Sequence, residues 1–335
     1  MKVLYIGPYS IGSTCSMRGE IMRSLLNNPE FIIIDTEKIL NSFNKIIKTI
    51  GFRYKIGPVV EAINSEIIKS LNSKYDLIWV DKGIFITEET TKKLKDKTEK
   101  LIHYTPDTAF YENKSYHFYN SIKLYDACIT TKSFDLVLYK KFFAKKIIYC
   151  TQGYDKNIHK TYNCFPDKSG ICFIGLYEIN RDIFIQKLLD AGLEIKLAGV
   201  KWDSFVRRNK NKSNLFFFGK SVFGEEYGKL ISSSLFGLGF LSKKFPELHT
   251  TRTFEIPACK TILITERNEE TRKFFKDDEV VFYNTSEELI DKIKLLMEDK
   301  AELKRISEKG YNAVINGGYD YETIMKKLLK ETGMI

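Results

Sequence analysis

The sequence predicts an α/β protein made of two parallel-sheet domains in tandem. Three observations predict it. Short β-rich runs alternate with helical patterns through roughly the first 150 residues. The pattern then lapses over Thr151 to Gly170, and the same alternation restarts at Ile171. The strand segments are continuous Val/Ile/Leu runs rather than strict alternations, as expected when helices cover both faces of a sheet. At 335 residues the chain also exceeds what one hydrophobic core usually organises.

In order, the first series contains a strand at Lys2 to Ile6, a helix from about Met17, and strands at Phe31 to Asp35, Leu77 to Val80 and Leu101 to Tyr104. Further strands are expected at Ala127 to Thr130 and Lys146 to Tyr149. The polar stretch Thr151 to Gly170, with Gly153, Pro166 and Gly170, is the expected linker. The second series has strands at Ile171 to Gly175, Glu194 to Gly199, Leu215 to Gly219, Phe236 to Leu241, Thr261 to Thr265 and Val280 to Tyr283. Its helices are expected at Arg181 to Ala191, Glu225 to Ser233, after Thr250, at Ser286 to Glu298 and at Lys300 to Asn316. A Gly317-Gly318 break precedes a last helix from Tyr321, placed to leave the second domain and pack on the first. The expected domains are therefore 1–165, 166–318 and a C-terminal helix in 319–335.

Composition narrows the class. No apolar stretch approaches the roughly 18 residues that a membrane helix needs. The first strand begins at once, without a basic leader and cleavage site, so no export signal is expected and a cytoplasmic location follows. Six scattered cysteines without CxxC spacing fit reduced thiols rather than disulfides or a zinc site. The net charge of +10 is concentrated in residues 1 to 165, which hold 25 Lys and Arg against 17 Asp and Glu. Such a half attracts an anionic partner: lipid headgroups, a diphosphate-linked acceptor or nucleic acid. The lysines are dispersed and no aromatic-interleaved RNA-binding motif is present, which speaks against nucleic acid. Ile39 to Arg53 carries Lys among Ile, Leu and Phe, a pattern that suits a core-facing helix or peripheral attachment to a membrane.

Ligands of open parallel sheets bind beyond the carboxyl ends of the strands, where helix N-termini present unpaired N–H groups. The most informative such segment is Phe245 to Arg267, FPELHTTRTFEIPACKTILITER, in which Glu247 and Glu255 straddle a loop-to-helix junction. A carboxylate on the helix can accept two hydrogen bonds from a ribose diol. The amides of His249, Thr250 and Thr251 at the helix start can hold a diphosphate, with Glu247 facing a donor sugar. Taken alone, two glutamates at this spacing also fit a pair of solvated carboxylates. Pro257 is expected to bend the helix, and Lys260 lies where a left-handed cap would favour glycine.

Glu247-x7-Glu255 resembles the E-x7-E motif of GT-B glycosyltransferases of the family 1 or family 4 type. Arg252-Thr-Phe-Glu-Ile-Pro-Ala-Cys with Leu263-Ile-Thr-Glu266 is similar to the CgeB-type group, and Phe173-Ile-Gly-Leu-Tyr-Glu178, Gly199-Val-Lys-Trp202, Tyr125 to Lys132 and Tyr104-Thr-Pro-Asp107 agree in order and spacing. The resemblance implies the GT-B fold, two Rossmann-like domains facing each other across a cleft. It implies a nucleotide-sugar donor, UDP-sugar foremost, in the C-terminal domain, a glycan or lipid-linked acceptor at the N-terminal one, and transfer with retention. By position it implies Glu255 on the ribose, Glu247 on sugar hydroxyls or phosphate, and Arg252 or Arg181 on the diphosphate. Gly175 would admit the phosphates, with Lys201 in the loop after the second strand and Phe218-Gly219 near the base. No cofactor and no essential metal is expected. A nucleotide-sugar epimerase or hydrolase, or a non-catalytic nucleotide-sugar-binding module, remains the alternative.

In the first series, Gly7 to Thr14 follows the opening strand and starts a helix, so the amides of Gly12 and Ser13 can meet phosphate or simply form a capped turn. His103 and Asp107 flank a strand end where a base for the acceptor hydroxyl is useful, although both also fit structural roles.

Overall fold

The computed structural model describes residues 1–10 and 14–335, so Gly12 and Ser13 lie outside the described residues. The chain divides into two compact units: Met1–Thr151 with Tyr321–Ile335, and Gln152–Asp320. The first unit is built on strands β1 (Lys2–Gly7), β2 (Glu30–Asp35), β3 (Leu77–Asp81), β4 (Leu101–Thr105), β5 (Ala127–Thr130) and β6 (Ile147–Tyr149). The second is built on β7 (Ile171–Ile174), β8 (Ile195–Ala198), β9 (Leu215–Phe217), β10 (Phe236–Leu238), β11 (Ile262–Glu266) and β12 (Val281–Tyr283).

Each sheet is parallel throughout, in the orders β2-β1-β3-β4-β5-β6 and β12-β11-β10-β7-β8-β9. The second order is the Rossmann arrangement of two βαβαβ halves meeting at their first and fourth strands. Strand order therefore reverses at β7 and β10 in this unit, and at β1 and β3 in the other. The carboxyl ends of those pairs are where an open sheet leaves a crevice.

Successive side chains of a strand point to opposite faces, so each buried strand feeds two cores. Leu4 and Ile6 pack on one face of the first sheet, Val3 and Tyr5 on the other. Ile171 and Phe173 likewise oppose Cys172 and Ile174 in the second sheet. This double burial explains why the strands read as unbroken apolar runs. The last helix, Tyr321–Glu331, belongs to the first unit, where Tyr321, Ile324, Met325, Leu328 and Leu329 are buried with Val3 and Tyr5.

Two expectations need correction. Thr151 to Gly170 is not a free linker, because most of it is stitched to the second unit. The amide of Gln152 donates to His249 Nε2 (3.1 Å), those of Tyr162 and Asn163 donate to Ser232 Oγ (2.8 and 3.1 Å), and Lys168 Nζ donates to the Ser232 and Cys259 carbonyls. The unit boundary thus falls after Thr151 rather than at 165. Ile39 to Arg53 is two helices, Thr36–Asn41 and Lys45–Tyr54, because Asn44 adopts extended backbone and caps the second one by accepting from the Ile46 and Ile47 amides. Among the described residues no helix is long and apolar enough to cross a membrane.

Candidate functional site

At the carboxyl end of β7, Gly175 is clamped between neighbouring loops. Its amide donates to the Ala198 carbonyl (3.0 Å), and its carbonyl accepts from Trp202 Nε1 (2.9 Å). Gly199, at φ 138°, passes so close that a Cβ there would lie 1.9 Å from the Gly175 oxygen. The Gly199 amide in turn donates to the Gly219 carbonyl (2.9 Å). Three strand-end loops are thereby tied into one floor. Lys201 stands exposed in the middle loop at φ 69°, and Gly219 takes φ 100° in the outer one.

Across the switch point, the loop after β10 leads into the helix Arg252–Ala258. A Cβ on Gly175 would meet Arg252 Nη2 at 3.5 Å, so the missing side chain leaves the guanidinium open to the β7 end. The guanidinium groups of Arg252 and Arg181 both lie over the Phe173 ring, at 5.9 and 5.6 Å from its centroid. They meet different partners, Tyr227 for Arg252 and Glu178 for Arg181. Arg181 is buried, paired with Glu178 (3.1 Å) and donating to the Leu176 carbonyl (2.9 Å), so it shapes the β7 loop. Arg252 Nε is buried without a hydrogen-bond partner among the described residues, and so is the Thr250 hydroxyl two residues earlier. Unpaired buried donors of this kind are costly unless a ligand meets them.

Glu255 sits on the same helix, buried, and accepts from the Tyr227 hydroxyl (2.7 Å) with His159 Nε2 at 3.7 Å. Burial, then the Glu255 carboxylate, push the Tyr227 phenol far above its ordinary value, with Arg252 opposing them. The phenol therefore remains a donor, and one set of contacts runs from Gly175 through Arg252 and Tyr227 to Glu255. Glu247 is half-buried in the loop, where Oε2 accepts from the Ser242 amide (2.9 Å).

The helix start differs from its expected form. His249 is buried with both ring nitrogens engaged: Nε2 accepts from the Gln152 amide, which places the proton on Nδ1, donated to Glu270 (2.5 Å). The Thr250 amide is taken by Thr253 Oγ1 (3.1 Å), so it is not open to a diphosphate, while Thr251 precedes the helix half-buried. Pro257 sits one residue before the helix end and removes a single bond there. Lys260 does adopt the left-handed conformation, at φ 52°, closing the helix with its amide on the Pro257 carbonyl (2.9 Å).

The first unit holds the remaining candidates. His103 is fully buried, stacked 4.2 Å from the Phe118 ring, and its Nε2 donates to the Lys82 carbonyl (3.1 Å). Burial pushes its pKa down to about 4, against the Lys82 hydrogen bond and Asp81. The expectation of a base at this position fails because the ring has no access to a substrate. Asp107 is partly exposed and pairs with Lys82 Nζ (2.8 Å). Burial works against its charge, but Lys82, then Lys132 and Arg18, hold its carboxyl below the usual range. Such a carboxylate is a poor proton acceptor and a good anchor for Lys82. Near the β1/β3 switch point, Asp81 Oδ2 accepts from Arg18 Nη2 (2.8 Å) and Tyr5 (2.9 Å) in a buried cluster.

Motif spacing identified Glu255, Arg252 and Gly175, which the fold brings to one place. Tyr227, His159, Phe173, Trp202 and Glu178 went unassigned because their roles come from contacts across the sheet. Phe173, Glu178 and Trp202 stand in motif strings, and that membership was the usable signal for them.

The comparisons bear on this geometry. Residues 181–330 match the family model described as glycosyl transferase-like. No curated protein sequence matches the chain. Among solved structures it is similar to Anabaena Alr3699/HepE in complex with UDP (13% identity, TM-score 0.65, 100% of both chains). It is also similar to sucrose-phosphate synthase from Thermosynechococcus elongatus (12%, 0.64, 99% of this chain and 98% of that one) and to the OtsA apo structure (9%, 0.67, 100% of both). Residues 181–330 therefore resemble a glycosyl transferase-like domain, and the chain as a whole shares the GT-B fold of these structures.

Proposed function

We propose that the chain transfers a sugar, with retention, from a nucleotide-sugar donor held by the second unit to a glycan or lipid-linked acceptor of the cell envelope. The observation that carries this reading is the continuity of Gly175, Arg252, Tyr227 and Glu255 at the β7/β10 switch point. Glu255, with one oxygen on Tyr227, binds the ribose diol; Arg252 neutralises the departing diphosphate where Gly175 lets it approach; Glu247 faces the sugar. Similar structures with UDP and with UDP-glucose bound support a uridine donor. The transition state is oxocarbenium-like, and positioning with charge neutralisation does most of the work.

The test is calorimetric binding of UDP, GDP, ADP, CMP and dTDP to the wild type, Glu255→Ala and Arg252→Ala. UDP is expected to bind selectively. Loss of hydrogen bonds to a charged group costs about 1.5–3 kcal/mol, roughly 10- to 100-fold in Kd. Unchanged affinity in folded Glu255→Ala overturns the site, and no binding of any nucleotide overturns the reading.

A further inference from the structure

We propose that the helix Lys45–Tyr54 and the turn after it form a docking face for an anionic lipid bilayer. This goes beyond the transfer reaction and does not depend on it. The helix has two apolar stripes. Phe43, Ile47 and Gly51 turn inward, Phe43 and Ile47 packing on the first unit's core while Gly51 lies so close to Val59 that a Cβ would meet it at 2.8 Å. The other stripe, Ile46, Ile50 and Tyr54, follows the same spacing of four along a face that nothing in the unit covers: they are 72%, 45% and 58% exposed. Ile56 continues the exposed apolar surface beyond the helix end, while Phe52, on another side of the helix, keeps its ring 6.3 Å from that of Phe85. The helix and the turn after it thus spend four large apolar side chains, Ile46, Ile50, Tyr54 and Ile56, on solvent, where a soluble surface would place polar ones.

Charge selects the occupant. Residues 38–60 contain Lys38, Lys45, Lys48, Arg53 and Lys55 and no acidic residue. Lys45 and Arg53 on this helix and Lys38 on the preceding one are exposed. A second copy docked face to face would bring these cations against their own counterparts, which is repulsive. A bilayer with acidic headgroups accepts both features at once, the aliphatic stripe entering the acyl boundary while the cations meet the phosphates. Tyr54, with the Arg53 guanidinium 5.5 Å from its ring centroid, suits the headgroup level, where an amphipathic ring keeps its hydroxyl wet. The inward stripe packs the helix on the unit, so docking does not require a helix to form.

The experiment is flotation of the full chain with vesicles of phosphatidylcholine alone and of phosphatidylcholine with phosphatidylglycerol, at low salt and at roughly 1 M salt, where charge interactions are screened beyond about 3 Å. The wild type is expected to float with the acidic vesicles, weakly or not at all with the neutral ones, and at least 10-fold less in high salt. Ile46→Ser/Ile50→Ser and Lys45→Glu/Arg53→Glu should each abolish flotation while leaving melting temperature and nucleotide binding unchanged. A fluorophore on Ile50→Cys, in protein whose exposed Cys164 is replaced by Ser, should shift to the blue on acidic vesicles. Absence of wild-type flotation, flotation that survives both double variants, or an unshifted fluorophore overturns the proposal. So does a concentration-dependent dimer in sedimentation that Ile46→Ser/Ile50→Ser dissolves, since the face would then belong to a second copy. Nucleotide binding is read separately, so a failed donor site and a failed membrane face give different results.

Discussion

At the scale of single residues, burial decides what chemistry a side chain retains. His103 lies near the end of a strand that leads into a proline turn, which in sequence suits a base; in the fold it lies among Phe118 and Tyr125 with its Nε2–H on the Lys82 carbonyl. Its pKa of about 4, against about 6.5 unfolded, makes it a stability group. Between those values the unfolded chain binds the proton and the folded one does not. The contribution is therefore complete above about pH 6.5 and falls by about 1.4 kcal/mol per unit as pH drops towards 4. Urea unfolding between pH 7.5 and 4.5 should show a steeper loss in the wild type than in His103→Gln, which keeps a donor for the Lys82 carbonyl. Equal slopes would assign the acid sensitivity elsewhere. The contrast with Glu255 is one of partners: also buried, it has a phenol donor at 2.7 Å and the His159 ring at 3.7 Å.

At the scale of elements, the loops that close β7, β8 and β9 act as a unit. Gly199 is the keystone, since its φ of 138° and its approach to the Gly175 carbonyl exclude any side chain. Gly199→Ala should cost about 3 kcal/mol or more through strain and clash, and should weaken nucleotide binding by displacing Gly175. A thermal melt with a UDP titration checks both; a variant with wild-type melting and affinity would show that the three loops are not coupled. The helix Arg252–Ala258 illustrates a milder compromise. Pro257 and Lys260 both break the local rule for a helix end. The proline falls where only one bond is lost, and the lysine accepts a left-handed backbone to turn the chain into β11.

At the scale of the molecule, the last helix returns to the first unit, so its sequence neighbours and its packing partners belong to different units. Four buried apolar side chains depend on it, together with Tyr321, whose ring lies 6.0 Å from the Arg18 guanidinium. At about 1.5–3 kcal/mol for each buried apolar side chain, their loss is of the order of a whole domain's stability. A chain ending at Asp320 should therefore lose amide-exchange protection throughout residues 1–151 and keep it in 152–320. Protection retained in the first unit would show that its sheet is stable without the helix.

The sequence by itself determined the class and order of the elements. A strand buried on both faces must be apolar at nearly every position, and β1, β3, β7 and β11 announce themselves that way. It also determined the candidate pair Glu247 and Glu255, since their spacing across a loop-to-helix junction is local. Tertiary structure decided the rest. Sheet order, and with it the two switch points, depends on which strands pair across long crossovers, and no local pattern records that choice. Tyr227 for Glu255, Phe173 beneath Arg181 and Arg252, and Lys82 beside Asp107 are partners supplied by another helix, a strand and a loop. Ionisation and access follow from those partners rather than from residue type, so a sequence can nominate a carboxylate or an imidazole while only the packed chain determines whether it meets solvent, a phenol or an ammonium group.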